Sequence, residues 1–498
     1  MPQVHDVVIV GAGLGGIAAA IELKRHGFSD VVLLDAADGV GGTWRYNDYP
    51  GAACDVPSHL YSYSFARRST WSRLCSPREE ILRYVEQVAD VFEISEQVRT
   101  RSRVTACEWD DAARHWVVRT EGSGVLRAGA VVLATGQLNQ PAFPAIDGLD
   151  TFAGHSFHSA RWDHDYDLTG KRVAVIGTGA SAVQFVPPVA EQVGRLSVFQ
   201  RTGNWILPRR NNVYPASFAA LFRLFPILGT IWRQLLFHSL ELLTAWIRHP
   251  RTLGHLGRIW SELFMRMQLR DPETRRKAWP NYTFGCKRIL FSSAFLPALQ
   301  RNNVELVTEK ITRMTPAGPQ TEDGRVHEVD CVIYGTGFRT TRFMFPMEIT
   351  GIGGRTLREA WADGPRAHLG IAVSGFPSLF VMYGPNTNTS GGSIIFFLEA
   401  QARYVRQAMQ LVRERAVAAV DVRAETMAAS TDAVQRRFAG TAWLSCQSWY
   451  RDASGRIVTN WPGYMREYGN ATSRLDPAEF TLIERAPVRD DQRADQGR

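Results

Sequence analysis

One local pattern occurs twice in this chain and constrains its fold more than any other feature. Residues 6–10, Asp-Val-Val-Ile-Val, read as a buried strand. Gly11-Ala12-Gly13-Leu14-Gly15-Gly16 follows, then an apolar helical stretch to about Gly27, then a second strand over residues 31–34 ending in Asp35. Far downstream, residues 172–176 (Arg-Val-Ala-Val-Ile) read as a strand, followed by Gly177-Thr178-Gly179-Ala180-Ser181-Ala182 and a helix. A further strand over residues 196–199 then ends in Gln200-Arg201. The residue at that strand end stands 24 positions after the first glycine in both copies.

A lone GxGxxG is weak, because glycine-rich turns are common; two copies, each between a strand and a helix, form a specific signal for dinucleotide binding. The glycines permit a tight turn, backbone N–H groups approach a pyrophosphate, and the helix N-terminus supplies partial positive charge. In the second copy Ala182 replaces the third glycine, which the pattern tolerates. The expected contacts are Gly11, Gly13, Leu14 and Gly16 in the first copy, and Gly177, Thr178, Gly179, Ser181, Ala182 and Gln184 in the second. Asp35 accepts hydrogen bonds from ribose hydroxyls and would repel a 2′-phosphate, which suits FAD or NAD. Arg201 suits a 2′-phosphate, hence NADPH. A second duplication agrees: residues 131–136 (Val-Val-Leu-Ala-Thr-Gly) and 331–337 (Cys-Val-Ile-Tyr-Gly-Thr-Gly) are strands ending in (Ala/Gly)-Thr-Gly. The expected fold class is α/β, with two Rossmann-like dinucleotide-binding domains, the NADPH unit inserted in the FAD unit, and a small helical insertion.

The 498 residues leave room for several cores, and 45% apolar with 21% charged residues is ordinary for a globular protein. The net charge of +8 comes from 57 Lys+Arg against 49 Asp+Glu, without a block of like charges, so no nucleic-acid partner is expected. Six cysteines (54, 75, 107, 286, 331 and 446) are scattered without a CxxC pair. That excludes a disulfide scaffold, a Cys-rich zinc site and a CxxxxC redox pair, and fits a reducing, cytoplasmic compartment. The first strand runs straight into glycines without a basic segment or cleavage site, and no window reaches 18 uncharged apolar residues; neither a secretory signal nor a spanning helix is expected. Two dinucleotide units without a redox cysteine pair leave flavin-based oxygen chemistry.

From about residue 5 to about residue 465 the chain resembles the Baeyer–Villiger branch of the flavin-dependent monooxygenases, and more loosely the flavin-containing monooxygenases. The most specific motif is the fingerprint FxGxxxHxxxW(P/D), present as Phe152, Gly154, His158, Trp162 and Asp163. Relatives that oxidise nitrogen or sulfur end it in Tyr or Phe, so Trp162-Asp163 favours ketone oxidation. Gly41-Gly42-Thr43-Trp44, residues 49–55 (Tyr-Pro-Gly-Ala-Ala-Cys-Asp) and residues 61–65 resemble the family's flavin-cradling loop. Gln200-Arg201-Thr202 resembles the NADPH phosphate clamp. Residues 285–288 (Gly-Cys-Lys-Arg) resemble the segment carrying the active-site arginine, and residues 384–388 the loop that returns to the flavin.

The resemblance implies FAD and NADPH as cofactors, with O2 and a hydrophobic ketone, or a thioether, as substrates. NADPH would reduce FAD, and the reduced flavin would form a C4a-peroxide that attacks a ketone carbonyl to give an ester or lactone. Arg288 supplies the fixed cation and Asp55 orients it. Thr43, Trp44, Asp55 and Tyr61 would touch the flavin, Val104 the FAD adenine, and Lys287 would join Arg201 and Thr202 at the 2′-phosphate. His158 and Trp162 couple the two units without a proton-transfer role. The alternatives are an N- or S-oxygenase with the same cofactors, and a degenerate flavoprotein used for binding; the intact glycines, Asp35, Arg201 and Arg288 speak against the latter.

The expected partition is 1–148 and 341–485 for the FAD unit, and 149–211 and 282–340 for the NADPH unit. Residues 212–281 are an insertion of two or three amphipathic helices, broken near Pro226 and Pro250. Its apolar faces, with Arg nearby, suit weak attachment to a membrane surface. A long helix is expected from Leu398 to about Ala416, residues 449–463 as an aromatic closing loop, and residues 486–498 as a disordered tail.

Overall fold

A computed structural model describes residues 3–487 apart from 210, 341, 342, 345 and 453. Most of the expected tail lies outside the described residues. The first repeat folds as the strand Val4–Val10, the helix Leu14–Arg25 and the strand Val31–Leu34. The two strands pair in parallel from Val7 with Val31 to Val10 with Leu34. The strand Gly124–Leu133 lies on the other side of Val4–Val10 and is also parallel to it. Leu379–Val381 adds a parallel partner at residues 131–133. An antiparallel meander, Arg103–Asp110, His115–Glu121 and the first half of Gly124–Leu133, extends this sheet. Val7, Val8 and Ile9 have no exposed surface, as strands covered on both faces require.

The second repeat builds a separate five-stranded sheet, all parallel. Its order is Val304–Val307, Arg195–Phe199, Arg172–Ile176, Cys331–Tyr334, His155–His158. Both sheets use the same device at the turn. Gly11 has φ +108° and a Cβ there would sit 2.5 Å from Ala134 O; Gly177 has φ +109° and a Cβ would sit 2.4 Å from Gly335 O. The (Ala/Gly)-Thr-Gly strand ends therefore press directly on the nucleotide turns, and only glycine fits between them.

Four points differ from the sequence reading. The insertion holds four helices rather than two or three: Ala216–Leu224, Pro226–Arg248, Leu253–Gln268 and Pro272–Ala278. The breaks fall at the expected prolines, and the fourth helix starts where Asp271 caps it, accepting from Thr274 N. The long helix spans Ile394–Glu414, one turn earlier than expected, because Ile395 and Phe397 bury their side chains already at its start. Residues 100–103 (Thr-Arg-Ser-Arg), which the sequence suggests as a basic strand segment leading into Val104, instead turn at Arg101, φ +52°, and become strand only from Arg103. Finally, Cys286 and Cys446 are joined by a disulfide across 160 residues, whereas Cys54, Cys75, Cys107 and Cys331 are buried thiols. Spacing along the chain carried no sign of this pair because only the tertiary fold brings the two together. No single helix among the described residues is long and apolar enough to cross a membrane.

Candidate active site

The glycine turns and their strand ends position the first set of side chains. Asp35 ends its strand with 8% exposure; its carboxylate accepts from Ala12 N at 2.6 Å and Ala37 N at 2.8 Å. Ser102 N donates to Asp35 O, which seats the 99–104 segment and Val104 beside it. Gly13 caps the first helix, and Leu14 O accepts from the buried Tyr63 hydroxyl at 2.6 Å. Gly42, with φ +53°, approaches Gly13 so closely that a Cβ would lie 2.8 Å from Gly13 Cα. Thr43 opens the short helix Thr43–Tyr46, and Trp44 from it donates through Nε1 to the Tyr61 hydroxyl at 3.2 Å. A glycine turn, a ribose-side carboxylate and an aromatic wall thus lie along one line of contacts.

The second set converges on residues 49–55. Gln184, on the helix Ala182–Gln192 that opens the second unit, donates to Ala53 O at 2.9 Å and to Asp55 Oδ1 at 3.2 Å. Its Oε1 accepts from the Tyr49 hydroxyl at 3.1 Å. Asp55 Oδ2 accepts from Arg288 at 3.2 Å. The Arg288 side chain is 39% exposed and Asp55 only 11%. Burial works against the Arg288 charge, but the Asp55 carboxylate above all outweighs it, so its pKa lies above the ordinary arginine value. Arg209 donates to Cys54 O at 2.9 Å and braces the same loop. The resemblance-derived pair Arg288 and Asp55 is therefore in contact. Gln184, expected at the second nucleotide, also reaches the first unit's loop.

Tyr383 and Arg209 carry no sequence motif, and Tyr450, within the expected aromatic closing loop, was not foreseen beside Arg288. Tyr383 donates to Asn388 Oδ1 at 2.7 Å, and Asn388 donates to the buried Asn460 at 2.7 Å. This network holds residues 384–388 against 457–461. Burial raises the Tyr383 and Tyr450 pKa values, so both phenols stay protonated beside the cation.

The fingerprint begins beside the second sheet, with His158 ending its edge strand, and the residues that follow reach Tyr46 and Asp48 of the first repeat's side. His158 is 3% exposed, its Nδ1 accepts from Ala160 N, and burial above all pushes its pKa down to about 4. A neutral imidazole wedged between Phe143 and Phe338 is built for packing. Trp162 meets Phe185 of the helix Ala182–Gln192 at 5.4 Å, Arg161 lies over Tyr46 at 4.8 Å, and His164 pairs with Asp48 at 3.0 Å. Asp163 accepts from or pairs with His155 Nε2 at 2.8 Å.

At the second nucleotide turn, Thr178 is buried and its carbonyl accepts from Asn204 at 2.8 Å. Ser181 and Ala182 begin the helix. Arg201 is exposed at its strand end beside Thr202. Burial lowers the Lys287 pKa, and the Arg201 charge lowers it further. Neither cation has a carboxylate partner among the described residues.

These residues fit two different dinucleotides. A Cβ at Gly179 on the second turn, or at Gly136 and Gly337 in the two (Ala/Gly)-Thr-Gly strand ends, would meet nothing within 4 Å, which leaves room for a ligand beside them. Asp35 stands at the first strand end, where its carboxylate is compatible with a free ribose, and the Arg201 and Lys287 cations stand together at the second, where their charge is compatible with a 2′-phosphate.

Known proteins agree. A sequence-family model described as pyridine nucleotide-disulphide oxidoreductase matches residues 8–214. A Baeyer–Villiger monooxygenase of Streptomyces coelicolor is 43% identical over 493 residues, covering 98% of this chain and 95% of that protein. The solved structure of an oxidised steroid monooxygenase bound to NADP superposes with a TM-score of 0.86 at 32% identity, covering 97% of this chain and all of that one. The structure of OTEMO in complex with FAD and NADP does so with a TM-score of 0.84 at 27% identity and the same coverage. With a relative 43% identical over nearly the full length of both proteins, the chain belongs to the Baeyer–Villiger monooxygenases.

Proposed function

We propose that this NADPH-dependent FAD monooxygenase places one oxygen atom of O2 beside the carbonyl of a hydrophobic ketone, giving an ester or lactone, and that Arg288 is its catalytic cation. The single observation that carries this reading is the Arg288–Asp55 contact of 3.2 Å, at the point where the 49–55 loop, the helix Ala182–Gln192 and Tyr383 converge. Bound FAD, reduced by NADPH, supplies the activated oxygen. Arg288 faces the negative charge that develops during oxygen transfer, as a group that never loses its proton and donates in a planar fork. Asp55 fixes the direction of that fork, and Gln184 fixes Asp55. Trp44, Tyr61 and Tyr63 are buried beside the first glycine turn, and keeping water out there would preserve the reactive oxygen.

In this reading residues 1–148 and 341–485 hold FAD, through Gly11, Gly13, Leu14, Gly16, Asp35, Val104, Thr43, Trp44, Asp55 and Tyr61. Residues 149–211 and 282–340 hold NADPH, through Gly177, Thr178, Gly179, Ser181, Ala182, Gln184, Arg201, Thr202 and Lys287. Trp162-Asp163 favours a ketone over a thioether, and product analysis on one of each separates the two. Arg288→Ala is expected to retain flavin and NADPH oxidation but to lose oxygenated product by at least 100-fold, about 2.7 kcal/mol. An undiminished yield would remove Arg288 from the reaction.

The insertion supports a further placement of the protein, against an anionic lipid surface. Residues 212–281 carry ten basic and four acidic residues, a net +6 out of the chain's +8. The bent helix pair Ala216–Leu224 and Pro226–Arg248 exposes Leu221, Leu224, Phe225, Ile227, Ile231 and Leu235. Apolar side chains framed by cations are what such a surface binds.

A further inference from the structure

The disulfide between Cys286 and Cys446 has no part in the reaction as derived, yet it lies beside the reactive arginine. Cys286 stands two residues before Arg288, and Cys446 four before Tyr450, whose phenol faces Arg288. The bond therefore ties the segment that carries the cation to the loop that carries one of its neighbours. The two cysteines differ in exposure. Cys286 has no exposed surface, whereas Cys446 is half-buried and lines a recess of about 540 Å³. Trp205, Trp279, His255, Arg258 and Glu262 also line that recess. Its two basic groups, His255 and Arg258, outnumber the one carboxylate, Glu262, which pairs with Arg258 at 2.8 Å.

We propose that this recess is a thiol–disulfide exchange site for a small thiol bearing carboxylates, and that Cys446 Sγ is the atom attacked. The incoming thiolate forms a mixed disulfide with Cys446. The Cys286–Cys446 bond breaks, and its electron pair leaves on Cys286, which then takes up a proton. The consecutive cations Lys287 and Arg288 favour Cys286 as the leaving thiolate. A second small thiol attacks the mixed disulfide, releases the oxidised small-molecule disulfide and leaves Cys446 as a thiol. The protein gains two electrons and two small thiols lose them.

Exchange loosens a defined segment. Trp443 stays anchored, 1% exposed with its Nε1 donating to Ser390 at 3.2 Å. Residues 444–449, where Leu444, Ser445 and Trp449 are exposed, lose their covalent tether. Tyr450 then holds its place beside Arg288 less firmly, and oxygen transfer uncouples from NADPH oxidation. This consequence rests on Arg288 being the catalytic cation; the exchange chemistry does not.

The test uses the flavin-loaded enzyme with reduced glutathione as probe and cysteamine, a cationic thiol, at equal thiolate concentration. After iodoacetamide treatment, peptide masses should show glutathione on Cys446 alone at early times, then two alkylated thiols at 286 and 446. Cys54, Cys75, Cys107 and Cys331 should stay unmodified, and glutathione should react severalfold faster than cysteamine. Product formed per NADPH should fall at least threefold and recover with oxidised glutathione. Cys446→Ser, and independently Cys286→Ser, should show the low ratio without any response to thiol. An inert disulfide in the flavin-retaining enzyme, first attack at Cys286, faster reaction with cysteamine, or full reduction with an unchanged product ratio would each overturn the proposal. If instead Arg288→Ala leaves the product yield intact while the thiol mapping is as expected, the reaction assignment falls and the exchange site stands.

Discussion

Arg201 and Arg288 carry the same side chain for different physical reasons. Arg201 is exposed beside a second cation without a counter-charge, whereas Arg288 is held by Asp55 among neutral phenols. Arg201→Ala should raise KM for NADPH at least tenfold, about 1.4 kcal/mol, and KM for NADH by less than twofold. Equal changes for both would contradict the 2′-phosphate role. Acid stability is a second residue-scale property. Burial pushes His59, His158 and His368 down to about 4. The unfolded chain protonates each near 6.5, so their contribution is complete above that pH and is lost as pH falls from 6.5 towards 4, by up to about 3 kcal/mol per histidine. Asp421, raised by burial to about 6, opposes this between roughly pH 4 and 6 by favouring its protonated form in the fold. Urea midpoints should fall between pH 7 and pH 5, and less in His158→Gln; a flat profile would show that these histidines are not held neutral. Asp35 and Arg201 were legible in the sequence because a strand end fixes them by local register. Tyr383, Tyr450 and Arg209 were not, because their role comes only from what packs beside them.

Among the elements, the two glycine turns are the parts whose structure follows most directly from sequence. Each is one strand, one turn and one helix in succession, and the turn is tied to the next strand, with Gly11 N donating to Leu34 O and Gly177 N to Phe199 O. Gly177→Ala would place a Cβ 2.4 Å from Gly335 O at φ +109°. The variant should keep bound FAD and lose NADPH-driven flavin reduction by at least tenfold, while chemical reduction by dithionite still works. Loss of FAD together with NADPH would contradict a division of labour between the two units. Element boundaries were less legible. The helix Ile394–Glu414 starts a turn before the expected Leu398 because its first apolar residues, Ile395 and Phe397, are buried by tertiary packing. The fourth helix of the insertion, seven residues with a capping Asp271, is too short for its periodicity to stand out.

At the scale of the whole molecule, charge and exposed apolar surface are unevenly distributed. If the insertion rests on an anionic surface, the holoenzyme should co-float with vesicles containing phosphatidylserine or phosphatidylglycerol at low salt. It should float poorly with neutral phosphatidylcholine vesicles, and 0.5 M salt or Leu224→Asp with Ile231→Asp should reduce flotation severalfold. Absence from the floated fraction in all conditions would dismiss that placement. The sequence alone determined that the chain holds two strand–turn–helix units built on parallel strands and the family it belongs to, and it set the expectation of which unit suits a free ribose and which a phosphorylated one. Those properties reside in turns and strand ends, where a few adjacent residues settle backbone geometry and charge. The tertiary structure decided how Asp55, Gln184 and Arg288, separated by more than a hundred residues from one to the next, come into contact, that Cys286 meets Cys446, and which faces of the insertion look outward. Such meetings depend on how packed layers bring remote segments together, and no spacing along the chain encodes that distance.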